Sequence, residues 1–95
     1  MKVRLTPAAR ADLRAIYREG VRLFGQVQAA RYIAVLEQAL RFIGDFPLAV
    51  RLRPEFNPPL RVHPVSAHII VFDVAQGEVI VVRIRHGRED WDSRS

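Results

Sequence analysis

The chain has 95 residues, no cysteine and a formal charge of +5. Its length excludes two separately folding units, and 49% apolar with 26% charged residues excludes a disordered polyelectrolyte. Disulfides and thiolate metal sites are excluded too, which points to a reducing compartment, the cytoplasm.

Residues 1–95 read as a single domain, with an expected stability of about 5–10 kcal/mol. The opening Met1-Lys-Val-Arg-Leu-Thr-Pro has no signal-peptide stretch, and no apolar run is long enough to span a membrane. Every basic residue except Lys2 is arginine. That ratio is read as coding bias, whereas the net charge points to an acidic partner, protein or nucleic acid.

In chain order, Lys2 to Leu5 reads as a short strand. Thr6 is an N-cap and Pro7 takes the first helical position, where a missing N–H costs nothing. Ala9, Leu13, Ile16, Tyr17 and Phe24 then fall at helical spacing, and Gly25 stands where a C-terminal cap belongs. A second amphipathic helix begins at Gln26, with Tyr32, Ile33, Leu36, Leu40 and Ile43 on its apolar side, and closes at Gly44 and Pro47. So short a link makes the two an antiparallel hairpin. Pro47 to Pro59 is an irregular connection. Strand material resumes at Leu60 to Val65, where Pro64 argues for an edge or a bulge.

Two further strands follow, His68 to Val74 and Glu78 to His86. A three-residue loop, Ala75-Gln76-Gly77, would set Val74 opposite Glu78, Phe72 opposite Ile80, Ile70 opposite Val82 and His68 opposite Ile84. That register places Phe72, Ile70, Ile80, Val82 and Ile84 under the helices. Ile69, Val71, Val79 and Val81 fall on the other side, joined by Arg83 and Arg85. Two helices cannot cover both sides, so this arginine-rimmed apolar face is read as an interaction surface. The fold class expected is α+β: an N-terminal strand, a two-helix hairpin on one face of an antiparallel sheet, and a three-stranded C-terminal meander.

Arg83, Arg85 and His86 end the last strand, with Arg88 and Trp91 beyond it. A nuclease could use Arg61 and Arg83 on phosphate and His86 as acid or base. A second proton-transfer group is missing, because the tail has Trp91 but no tyrosine and Glu89 and Asp90 sit beside Arg88. The register also turns His86 away from Arg83 and Arg85, as a strand-end residue bonded locally would be. His63, His68 and His86 are too scattered for a metal site, so no metal and no cofactor are expected. Arg10, Arg14, Arg18 and Arg22 form a stripe on the first helix, with Glu19 the only counter-charge near Arg22.

The matching stretches Leu5-Thr-Pro-Ala-Ala-Arg-Ala-Asp-Leu13, Ile16-Tyr17, Ala30-Arg-Tyr32 with Leu36, and Pro47 are followed by Leu60-Arg61, His68-Ile-Ile-Val-Phe72, Val82-Arg-Ile-Arg-His86-Gly-Arg88 and Asp90. In this order and spacing the chain resembles the RelE/ParE toxin superfamily of type II toxin–antitoxin systems, its ParE-like branch in particular. Phe72 stands where tyrosine is common in that family, and Arg85 where an aliphatic residue is.

The resemblance implies a toxin that binds and inhibits DNA gyrase and is neutralised by a ParD-like antitoxin. The alternative branch is a RelE-like ribosome-dependent mRNA endoribonuclease, here with Arg61, Arg83 and His86. A third reading is a non-toxic binding module of the same fold. On the first reading Arg83, Arg85, His86, Arg88 and Trp91 face the target. The antitoxin meets Arg10, Arg14, Arg18, Arg22, Leu36, Leu40, Ile69, Val71, Val79 and Val81.

Overall fold

The structure is a computed structural model and describes residues 1–87. Strand β1 (Lys2–Leu5) is followed by helices α1 (Pro7–Phe24) and α2 (Gln26–Asp45), a 3-10 turn at Pro47–Ala49 and the two-residue strand β2 (Leu52–Arg53). Strands β3 (Leu60–Val65), β4 (His68–Ala75) and β5 (Glu78–His86) follow.

The helix boundaries follow from single residues. The Thr6 hydroxyl accepts the Ala9 N–H at 3.1 Å, satisfying one of the donors that a helix start leaves without a partner. Gly25, at φ +86°, closes α1 by donating its N–H to the Val21 carbonyl and accepts the Ala29 N–H into α2. One residue therefore links the two helices. Their backbones approach closely at Gly20, where a Cβ would lie 3.2 Å from the Ala29 Cβ.

Among the described residues the sheet has five strands in the order β1-β5-β4-β3-β2. The N-terminal strand finds its partner in β5, running parallel to it from Lys2 opposite Glu78 to Leu5 opposite Val81. All other pairings are antiparallel. Pro64 lies past the two residues of β3 that β2 covers, so its missing N–H costs no ladder bond. Between the sheet and the helices Ala9, Ile43, Val50, Ile70, Phe72, Val79, Val81 and Ile84 form the core.

The expected hairpin register is wrong, and the reason is local. The loop has two residues, not three: Gln76 (φ 55°) and Gly77 (φ 75°) both take positive φ, so Ala75 faces Glu78 and Val74 faces Val79. A non-glycine residue at positive φ is uncommon, and a glutamine gives no warning of it. A one-residue slip turns every side chain of a strand over. Val79 and Val81 consequently lie beneath the helices, both 0% exposed, not on an outer face.

A bulge then restores the expected phase. Phe72 pairs with Val81 while Val71 pairs with Arg83, so Val82 is the extra residue. Beyond it Ile84 faces the core as expected, and Arg83 and Arg85 alternate with it, their backbone positions on the other side. Val71, on that other side, is only 1% exposed, so the sheet's second face is not bare at its centre. The naked, arginine-rimmed flank expected from the sequence is therefore absent as drawn.

Candidate partner-binding groove

β1 ends where Thr6 and Pro7 start a helix, which leaves the β1 side of β5 without a strand neighbour beyond Val81. Side chains of the turn and helix fill that edge. Thr6 gives its N–H to the Val81 carbonyl at 3.0 Å and its hydroxyl to the Val82 carbonyl at 2.8 Å. Six residues on, nearly two helical turns, Asp12 accepts the Ile84 N–H at 2.9 Å. The same carboxylate takes a two-pronged hydrogen bond from Arg83, Nε at 2.8 Å and Nη2 at 2.9 Å. Burial pushes the Asp12 carboxyl up, but the Arg83 and Ile84 hydrogen bonds and the charges of Arg83 and Arg85 outweigh it and hold its pKa below the ordinary value.

Beyond this cap the helical hairpin and the sheet part around a groove of about 670 Å³. From α1 it is lined by Asp12, Ala15, Ile16, Glu19, Gly20, Leu23 and Phe24, and from α2 by Gln28, Ala29 and Tyr32. Ala67, His68, Arg85 and His86 supply the sheet side. The Tyr32 hydroxyl lies 2.6 Å from His68 Nδ1, and the His68 and His86 rings meet edge to face with centroids 5.4 Å apart. Leu23 and Phe24 are 52% and 70% exposed on the hairpin turn. A slot of this size, mainly apolar with acidic and basic groups among its lining residues, suits an amphipathic segment laid between helix and sheet.

The expected site residues divide sharply. Arg85 and His86 line the groove, and His86 lies on the helix-covered side as the sequence suggested. Arg83 is drawn to Asp12, while Arg61 turns its guanidinium to the Val50 carbonyl. Arg61 stands opposite Phe72 and His86 opposite His68, four positions apart along β4, while Arg83 lies on the other face opposite Val71, so the three do not converge. Leu36 is 0% exposed, and Leu40 packs on the core together with the buried Val79 and Val81. As the chain stands, Leu36, Val71, Val79 and Val81 have no surface for a partner, which corrects their expected role, while Leu40 is half-buried. Ile69 is half-buried, opposite Arg85. Arg10, Arg14, Arg18 and Arg22 are all exposed, with Arg22 bonded to Glu19 at 3.1 Å. Arg88 and Trp91 lie outside the described residues.

Sequence reading missed Asp12 as a strand-edge cap, and Tyr32 and His68 as groove residues. His68 and His86, read as scattered, are ring neighbours because their strands pair directly at those positions. The apolar run around Gly25 (Leu23, Phe24, Val27) was the available signal, since it continues past the residues the core can use.

Comparison with known proteins gives a consistent result. The family model described as ParE toxin of type II toxin-antitoxin system, parDE, matches residues 3–91. Toxin ParE of Escherichia coli is 36% identical over 91 residues, covering 95% of this chain and 88% of that protein. Toxin ParE1 of Mycobacterium tuberculosis is 32% identical over 89 residues, covering 93% and 91%. A solved structure titled chromosomal ParDE TA system from P. aeruginosa superposes with a TM-score of 0.81 at 25% identity, over 90% of this chain and 95% of that one.

Proposed function

Because the chain belongs to the ParE toxin family of type II toxin–antitoxin systems, we propose that it acts by binding and stalling DNA gyrase, and that a ParD-like antitoxin neutralises it. The antitoxin seats an amphipathic segment in the groove between the α1–α2 turn and the ends of β4 and β5. The observation that carries this reading is the groove itself, about 670 Å³, rimmed by the exposed Leu23 and Phe24. A segment that orders on binding would bury its leucines there. The cysteine-free composition and the proposed target both suit the cytoplasm.

Inhibition by binding alone is supported by the fate of the nuclease set, since Arg61 and Arg83 are bonded within the fold and apart from His86. The test is a supercoiling assay with purified gyrase. Inhibition at stoichiometric toxin, reversed by the antitoxin, is expected; full supercoiling in the presence of excess toxin contradicts the reading.

A second reading has one observation in its favour. Tyr32, His68 and His86 touch in sequence at the groove, with Arg85 among its lining residues, which is an acid–base set next to a cation. An mRNA endoribonuclease built on these residues would leave new codon-spaced 5′ ends in primer extension after induction. Intact transcripts with DNA-damage signalling favour gyrase poisoning instead.

A further inference from the structure

A second groove, about 400 Å³, lies on the flank of α1 away from the first and shares none of its lining residues. Leu13, Tyr17 and Ile33 form its apolar floor, and Arg14 and Arg18 stand at its sides. Tyr17 is 38% exposed although it sits at a core-like helical spacing. Arg10 precedes Arg14 by four residues, so the three arginines are set about 6 Å of helix rise apart along α1. Among the described residues, Arg10, Arg14 and Arg18 enter no ion pair. Both carboxylates of α1 are engaged elsewhere, Asp12 with Arg83 and Glu19 with Arg22. Like charges four apart oppose the helix that carries them, and a partner's carboxylates would relieve that.

We propose that this slot is a second protein-binding surface, separate from the antitoxin groove, which takes an acidic amphipathic helix of the target. Its apolar residues fill the space over Leu13, Tyr17 and Ile33, and its carboxylates meet Arg10, Arg14 and Arg18. The apolar floor is what selects a polypeptide over a bare phosphate backbone, because a backbone would leave Tyr17 and Ile33 uncovered. The assignment rests on gyrase as the target, and its test separates the two ideas.

Wild-type toxin, Arg14→Glu/Arg18→Glu and Leu23→Glu/Phe24→Ala are compared for half-inhibition of gyrase supercoiling, affinity for the antitoxin and binding to a naked DNA duplex. Thermal melts confirm that each variant is folded, and Arg14→Gln/Arg18→Gln gives a milder change at the same site. The arginine variant is expected to need at least about tenfold more toxin for half-inhibition while its antitoxin affinity stays within about twofold, since close charge pairs of this kind couple strongly. The Leu23/Phe24 variant should show the reverse. Unchanged inhibition by the arginine variant overturns the inference. So does a loss of antitoxin affinity that matches the loss of inhibition, because the stripe would then belong to the antitoxin. A matching loss of duplex binding also overturns it, in favour of DNA phosphates. A wild type that does not inhibit gyrase refutes the target itself.

Discussion

Asp12 and Arg83, 71 residues apart in sequence, are joined by two hydrogen bonds of 2.8 and 2.9 Å at the edge of the sheet where β1 stops. The carboxylate also holds the Ile84 N–H, so one side chain supplies what a longer β1 would have supplied. The first helix is thereby fixed to the last strand, next to the groove that both of them line.

Replacing Asp12 with Asn should therefore destabilise the fold by about 1–2 kcal/mol at neutral pH. The estimate lies at the low end for a charged pair because the Arg83 side chain is 39% exposed. A depressed carboxyl pKa contributes stability that is present above the unfolded value, about 3.9, and is lost as pH falls through the lower folded value. Urea titrations of wild type and variant should converge below about pH 4.

His63 makes a different pH window. Its ring stacks on Phe42 with centroids 5.4 Å apart, and burial pushes its pKa below the ordinary 6.5. The folded state favours the neutral ring, so its contribution is complete above about pH 6.5 and is lost as pH falls toward the lower folded value. His63→Phe keeps an aromatic ring beside Phe42. It should flatten the decline in melting temperature between pH 7 and pH 5 without altering the Asp12 effect at lower pH.

The hairpin turn offers a gain. Gln76 sits at φ 55° beside Gly77 at 75°, a loop that asparagine–glycine fills with less strain. Gln76→Asn should stabilise by about 0.5–1 kcal/mol, measured by denaturant midpoint at unchanged slope. An equal or lower midpoint would contradict the two-residue turn.

Gly44 tests close packing at the other end of the sheet. A Cβ there would lie 2.8 Å from Val3 Cγ2 and 3.1 Å from the Met1 carbonyl, while the chain's amino terminus donates to the Gly44 carbonyl at 2.7 Å. Alanine ordinarily gains about 1 kcal/mol over glycine within a helix. Overpacking of about 1–3 kcal/mol opposes it here, so Gly44→Ala should lower the melting temperature.

These particulars also show what could be read in advance. Thr6, Pro7, Gly25 and Pro47 punctuate the helices through local chemistry, so the hairpin and its boundaries were legible. The core face of β4 was legible because Ile70 and Phe72 alternate. The faces of β5 were not, since they depend on a positive φ at Gln76 and on an extra residue at Val82, and neither leaves a signal in residue type. The groove was hidden for another reason. It exists only where the hairpin turn meets the ends of β4 and β5, and no periodicity within one segment describes that meeting.

The most direct test of the account is amide chemical-shift mapping of the toxin during titration with the C-terminal segment of its antitoxin. Saturating shifts at Ile16, Gly20, Leu23, Tyr32, His68 and His86 are expected, with Arg10, Arg14 and Arg18 little changed. Shifts centred on the α1 arginines or on the Val71 face of the sheet, with the groove residues unmoved, would contradict it.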